Sequence, residues 1–342
     1  MKRPVNRLEM ILWKILIILL VHVAPEHLFA QNSTSRHFKV ETMGDGVYAV
    51  IHSSGGYAIC NAGIVDLGEE TLIFDTFLSP EAALDLSKIA IELTGNPVKY
   101  VINSHYHNDH IRGNQVFKPS ATIISTMMTR NLISENEPKE IQAEQEYAPK
   151  RLAQLKEEYE AATDEEAKQF LLMWIGYFEA MVKSHPILKT TLPDVTFSES
   201  MVIHGSRREA QLITFNLGHT ASDLILYLPD EKIVFTGDLL FIGMHPYLPD
   251  GQPTHLVQAL LQLKSIDIEK ILPGHGEVGT IQDIDAMIGY VNEMNALVER
   301  LLAQGVSAEE LEDVQVPESF TSWKFPNFFQ HNLKFMFNSH TK

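Results

Sequence analysis

His105-Tyr106-His107-Asn108-Asp109-His110 places three imidazoles and one carboxylate within six positions. Packing alone has no use for so many coordinating groups side by side. Neutral imidazole nitrogens and carboxylate oxygens suit zinc and similar first-row ions. An apolar, strand-like stretch at 98–102 precedes the run and Gly113 follows it. The run is therefore expected on a loop at the C-terminal end of a buried strand, where α/β folds carry their chemistry. His105 and His107 flank Tyr106 and can converge on one ion. Asp109 and His110 then turn toward a second position, about 3.5–4 Å away as in two-metal sites.

Three later stretches repeat the pattern of a buried strand that ends at glycine and hands over a ligand-type residue. They are Leu217-Gly218-His219-Thr220, Phe235-Thr236-Gly237-Asp238 and Leu272-Pro273-Gly274-His275-Gly276. With the first loop they supply seven ligands: His105, His107, Asp109, His110, His219, Asp238 and His275. That suffices for two ions of four or five coordination, with water completing the shells.

Taken in this order, the four stretches resemble the metallo-β-lactamase superfamily. The resemblance covers roughly residues 38–290 and implies an α/β fold, a four-layer αββα sandwich with the metals in a cleft at one edge. It further implies two Zn2+ ions, other divalent first-row metals being alternatives. His105, His107 and His219 would hold the first; Asp109, His110 and His275 would hold the second; Asp238 would bridge them. The 19-residue step from His219 to Asp238 is similar to that of zinc β-lactamases carrying Cys at the bridging position. Those enzymes usually place Lys three residues later, where this chain has Phe241. An Asp bridge is instead similar to glyoxalase II-like thioesterases, lactonases and phosphodiesterases. Quorum-signal lactonases tend to have a Tyr at the position of Phe241, and a glyoxalase II-type basic C-terminal domain has no clear equivalent here.

The function these residues imply is that of a zinc-dependent hydrolase. A metal-bridging hydroxide, available near neutral pH because two cations lower the pKa of a shared water, would attack an ester, thioester, lactone or amide carbonyl. Asp109 and Asp238 are the expected catalytic carboxylates, the first orienting the nucleophile and the second holding the metals together. Tyr57, Tyr106, His245 and Tyr247 are candidate pocket residues. The alternatives are a β-lactamase opening the β-lactam ring, a single-iron persulfide-dioxygenase-like enzyme, and a non-catalytic exported metal-binding protein.

Around this site the chain reads as a signal peptide over residues 1–30 and one metallo-β-lactamase-fold domain over 31–342. Lys2, Arg3, Arg7 and Lys14 lead into an apolar core at 15–23, and Ala30 offers a small residue before the cut. That core is short for a transmembrane helix, although an uncleaved anchor is the competing reading. The expected location is periplasmic or secreted, with no stable membrane insertion after cleavage. Residues 1–30 carry four basic and two acidic side chains, so their removal takes the net charge from −17 to −19. Such acidity excludes nucleic acid as a natural partner and leaves a small-molecule substrate, with oligomeric state open. The single cysteine, Cys60, excludes an internal disulfide and reads as a buried structural thiol opening a strand.

Short β signals at 38–43, 47–52, 62–67 and 71–74 lead to a helix begun by Ser79-Pro80. A helical insertion is expected at about 127–190, with a capping box at 163–166 and an apolar stripe of Phe170, Trp174, Phe178 and Met181. The stripe either packs on the body of the protein or overhangs the metal loop. Strands are expected at 195–197, 201–204, 210–216, 224–228, 233–236 and 270–272, with helices over about 254–263 and 281–302. The aromatic stretch 320–337 reads as a loop that caps the fold or forms an oligomer contact.

Overall fold

Continuous apolar runs such as Leu224-Ile225-Leu226-Tyr227-Leu228 demand cover on both faces, and two stacked sheets between helical layers supply it. A computed structural model of the chain describes residues 35–340. The expected signal peptide lies outside the described residues. The first sheet has seven strands in sequence order: β1 (Phe38–Gly44), β2 (Val47–His52), β3 (Ala62–Asp66), β4 (Thr71–Phe74), β5 (Val98–Ile102), β6 (Thr122–Thr126) and β7 (Val195–Phe197). Its first four strands pair antiparallel and β4 to β7 pair parallel. The second sheet runs β12-β11-β10-β9-β8, from β8 (Ser200–His204), β9 (Glu209–Asn216), β10 (Asp223–Leu228), β11 (Ile233–Phe241) and β12 (Lys270–His275). Only β11 and β12 pair parallel there.

Three apolar cores separate four layers. Outside the first sheet, α1 (Pro80–Thr94) buries Leu86 and Ile89 against Ile64, Ile73 and Val101. Ser79 starts that helix by accepting from the Ala82 amide, and Gly95, at φ 72°, ends it in the left-handed conformation. Between the sheets lie Val47, Val65, Leu72, Leu224 and Leu226, with the rings of Phe74 and Phe235 5.7 Å apart. On the far side α6 (Pro253–Leu263), α7 (Ile281–Ala303) and α8 (Pro326–His340) close over Val234, Leu240 and Ile271. The fold is the αββα sandwich.

Two short helices, α2 (Asn108–Ile111) and α3 (Asn114–Phe117), follow β5, so Asp109 and His110 sit on a helical turn rather than in open loop. The insertion consists of α4 (Met127–Ala161) and α5 (Glu165–Ser184), joined by a short turn. The cap of α5 is Asp164, accepting from the Ala167 amide, and not the Thr163 box expected from sequence. The stretch 320–337 is also corrected, because most of it is helical. In α8, Phe329, Leu333, Met336 and Phe337 fall on one buried face at helical spacing. No helix among the described residues is long and apolar enough to cross a membrane.

Candidate metal centre

Every expected ligand comes to one edge of the sandwich. The β5 end delivers His105 and His107, α2 delivers Asp109 and His110, and the β9–β10 turn delivers His219. Strands β11 and β12 run beyond their expected ends, so Asp238 lies inside β11 and His275 closes β12. Around Asp238 the pairing of these strands loses its regular register, which turns the carboxylate out toward the histidines. Two glycines allow this. Gly237 takes φ 52°, and a Cβ there would meet the Ser104 Cβ at 2.6 Å. A Cβ on Gly274 would stand 1.9 Å from Asp238 Oδ1.

A tetrahedral ion with bonds of about 2.0–2.1 Å needs ligand atoms about 3.3–3.4 Å apart. In the first donor set His107 Nδ1 lies 3.0 Å from His219 Nε2. His219 Nε2 and His105 Nε2 lie 3.3 and 3.8 Å from Asp238 Oδ2. In the second, His275 Nε2 lies 3.4 Å from both Asp238 Oδ2 and Asp109 Oδ2. His110 Nε2 lies 3.1 Å from Asp238 Oδ1 and 3.7 Å from Asp109 Oδ2. Ligand atoms of His105, His107, His219 and Asp238 lie within 4.8 Å of one another, as do those of His110, Asp238 and His275. His105 Nε2, His110 Nε2 and Asp238 Oδ1 are buried and make no hydrogen bond. Orphaned buried donors and acceptors are costly, and here all three belong to the two donor sets that meet at Asp238. The residues fit metal ions.

The outer ring nitrogens are also accounted for. Ser104 Oγ lies 2.9 Å from His105 Nδ1. Asp75 Oδ2 lies 2.7 Å from His110 Nδ1, and both Asp75 oxygens are held by Ser104. Asp250 Oδ2 lies 3.0 Å from His107 Nε2. Such partners fix the tautomer and aim the free nitrogen inward. Sequence reading missed Asp75 and Asp250. Asp75 ends β4 much as the other ligand-bearing residues end their strands, which was a usable signal; Asp250 had none.

Electrostatics follow from burial and these neighbours. Burial lowers His105 well below its ordinary value and takes His219 down to about 3. Burial opposes charge on His107 as well, but the bond to Asp250 and the nearby carboxylates raise it. His110 is raised well above the usual range, its burial outweighed by the ionisable groups around it. Burial would lift Asp238, yet the flanking imidazoles, His275 and His110 first, hold it well below the carboxylate range.

Cys60 is buried, as expected, but it precedes β3 rather than opening it, and it belongs to the site. Its Sγ donates to the Asp109 carbonyl at 2.8 Å, and it forms a further trio with Asp109 and His110. Burial pushes the thiol up to about 12, so it supports the α2 turn as a neutral donor. Asn61 donates to the Pro273 and Gly276 carbonyls and so positions the His275 turn.

The centre forms the floor of a cleft of about 420 Å³. His52, Phe241, Tyr247 and Asp250 surround the floor, and Met173, Trp174 and Tyr177 of α5 overhang it with Phe325 and Phe328. Phe241 stacks on His275, with centroids 4.9 Å apart and planes at 13°. The expected stripe therefore divides: Trp174 faces the cleft, while Met181 is buried on the first sheet's outer core with Phe178 beside it. Of the four candidate pocket residues, only Tyr247 lines the cleft. Tyr57 is buried elsewhere, bonded to Glu179 and Lys183. His245 packs among Tyr290, Trp323 and Phe329. Tyr106 lies behind His107, ring against ring.

Arg112, 1% exposed, ties the ligand helix to the overhang through Glu137 and Glu144 of α4. His185, just after α5, joins the same Glu144 at 3.1 Å.

A four-layer sandwich with two His/Asp donor sets sharing one carboxylate at a sheet edge defines an αββα protein with residues able to hold metal. The family model of the metallo-beta-lactamase superfamily matches residues 55–275, well over half of the chain. The chain belongs to the metallo-beta-lactamase superfamily. A metallo-beta-lactamase from Pontibacter korlensis superposes with a TM-score of 0.54 at 17% identity, covering 75% of this chain and 99% of the other. The crystal structure of VMB-1 gives 0.55 at 16% identity, covering 76% and 99%. These two likenesses concern the fold.

Proposed function

We propose that this protein is an exported hydrolase that uses two zinc ions to cleave an ester, thioester, lactone or amide in a small molecule. The observation that carries the reading is the pair of donor sets joined at Asp238 on the floor of a closed-sided cleft. When bound, the ions supply Lewis acidity and a water activated near neutral pH. His105, His107 and His219 would hold one ion, and Asp109, His110 and His275 the other. Asp238, whose carboxylate lies within 3.8 Å of His105, His219, His275 and His110, would be shared by the two. Asp109, 13% exposed against 5% for Asp238, faces the cleft and is placed to take a proton from the attacking water. His52, taken by burial down to about 3, lines the floor as a neutral ring. The aromatic overhang excludes bulk water and orients the apolar part of the substrate.

Export rests on the basic start and short apolar core of residues 1–30. A β-lactam is the second reading within the family, but Phe241 and a lining without Lys or Arg leave a substrate carboxylate no side-chain cation to pair with. The test is a screen of zinc-loaded protein against esters, thioesters, lactones, β-lactams and phosphodiesters. The expected outcome is chelator-sensitive turnover of a carbonyl substrate, lost in Asp238→Ala and His107→Ala while their circular dichroism is unchanged. Normal turnover by both variants would refute it. Metal content close to two zinc per chain is expected, and a single iron with oxygen consumption would overturn the reading.

A further inference from the structure

The acidic side chains of the cleft have partners with one exception. Asp109 and Asp238 face the metal-site histidines, Asp250 is bonded to His107, and Glu144 is shared by Arg112, Asn108 and His185. Glu140, half-buried on α4, lines the same cleft and makes no hydrogen bond or ion pair among the described residues. Tyr106, Tyr147 and Tyr247 feel its charge, as Glu140 feels Arg112 and His107 from beyond ion-pair distance. From the ligand His107 a chain of ring contacts runs through Tyr247 at 6.3 Å and Phe328 at 5.7 Å. It reaches Trp174 at 6.1 Å, and Trp174 meets Tyr177 at 5.6 Å. No Lys or Arg lines the cleft.

A half-buried carboxylate that makes no ion pair is costly; burial raises Glu140 from its ordinary value, with Glu137 adding to the rise and Arg112 and His107 only partly offsetting it. A ligand cation removes that cost and gains twice, from the carboxylate and from the negative faces of the rings. Aromatic walls are the usual means of binding quaternary ammonium groups, and Glu140 adds a carboxylate to this one. The geometry points to a substrate that carries an ammonium group on an apolar arm, seated between Glu140 and the Trp174–Phe328 wall, with its scissile carbonyl over the metal-site floor. This deepens the hydrolase reading and rests on it for the carbonyl, while the ammonium seat stands by itself. Anionic substrates are disfavoured by the same groups.

Two measurements on the zinc-loaded chain separate the seat from the chemistry. The first is calorimetric binding of benzyltrimethylammonium, against neutral neopentylbenzene and against phenylacetate. Binding of the ammonium alone, weakened about tenfold in Glu140→Gln and in Trp174→Ala, is expected. Equal binding of the neutral isostere to the parent chain, or unchanged affinity in Glu140→Gln, overturns the proposal whether or not any ester is cleaved. The second is hydrolysis of two nitrophenyl esters whose acyl arms end in trimethylammonium or tert-butyl. The ammonium ester should show the higher kcat/KM, and Glu140→Gln should lower the ratio of the two about tenfold. A ratio of one in the parent chain overturns the proposal. Ammonium binding without cleavage of either ester sinks the hydrolase reading and leaves the seat standing.

Discussion

Asp250 and Asp75 should each serve one metal position, because each holds the far nitrogen of one ligand. Asp250 accepts from His107 Nε2 and leaves Nδ1 to face His219 and the first donor set. Asp75 sits on His110 Nδ1 and leaves Nε2 to face Asp238 and the second. Replacing either Asp by Asn turns an acceptor into a group that can donate. The ring is then stabilised in the wrong tautomer, with its proton on the nitrogen that must bind metal. Loss of such a partner costs about 10–100-fold in metal affinity, about 1.4–2.8 kcal/mol. Exposure decides where each falls in that span. Asp250 is 41% exposed and His107 17%, so water can replace the lost acceptor and the loss should be about tenfold. Asp75 and His110 are 1% and 0% exposed, so nothing replaces it and the loss should be about a hundredfold. Zinc titration against a chromophoric chelator reads both constants. Asp250→Asn should weaken the first position in a His275→Ala background and add nothing in His219→Ala; Asp75→Asn should do the reverse. Equal effects of both substitutions in both backgrounds would show that the two carboxylates are not orienting separate ions.

The remaining predictions address packing and pH. Gly274→Ala should reduce zinc content and activity together, since its methyl would occupy the space of Asp238 Oδ1; overpacking of this kind costs about 1–3 kcal/mol, and a thermal melt within a degree of the parent would count against the reading. His245 is buried among rings and brought down to about 4 by burial. The unfolded chain binds its proton below about 6.5, so stability falls as pH drops from about 6.5 to 4, by about 2 kcal/mol between pH 8 and 5. Chemical denaturation of His245→Gln at both pH values should show a pH dependence smaller by that amount, and an unchanged dependence would place the acid sensitivity elsewhere.

The candidate ligands were legible in the sequence because four share one six-residue stretch after an apolar run and His219, Asp238 and His275 each follow a glycine at the end of another, and strand ends in α/β sheets collect at one edge. Seven residues spread from 105 to 275 could therefore be joined without contacts being known. The residues that aim them were not legible for the opposite reason. Asp250 meets His107 across 143 positions, and nothing in the 242–253 loop distinguishes it from an exposed aspartate. Cys60 reads as core from its apolar neighbours, and it is buried; that it lies under Asp109 depends on how β3 passes α2. The C-terminal aromatics were misread because seven aromatic side chains between 320 and 337 obscure the one face that Phe329, Leu333, Met336 and Phe337 share.

The overhang shows most clearly where periodicity stops being informative. A stripe at helical spacing says that a face is apolar, and α5 has such a face on two sides. Met181 and Ala180 are covered by the body of the protein, whereas Trp174 and Tyr177 are covered only in part and line the cleft beside the buried Met173. What distinguishes them is the partner, and Trp174 finds Phe325 and Phe328 some 150 residues along the chain, at 6.3 and 6.1 Å. The cleft wall is thus assembled from α4, α5 and the residues around the start of α8, three elements that share no motif. The candidate ligands could be read along the chain because they follow a few strand ends. The cleft wall depends on which apolar side chains remain without cover once the fold has formed, and only the packed structure identifies them.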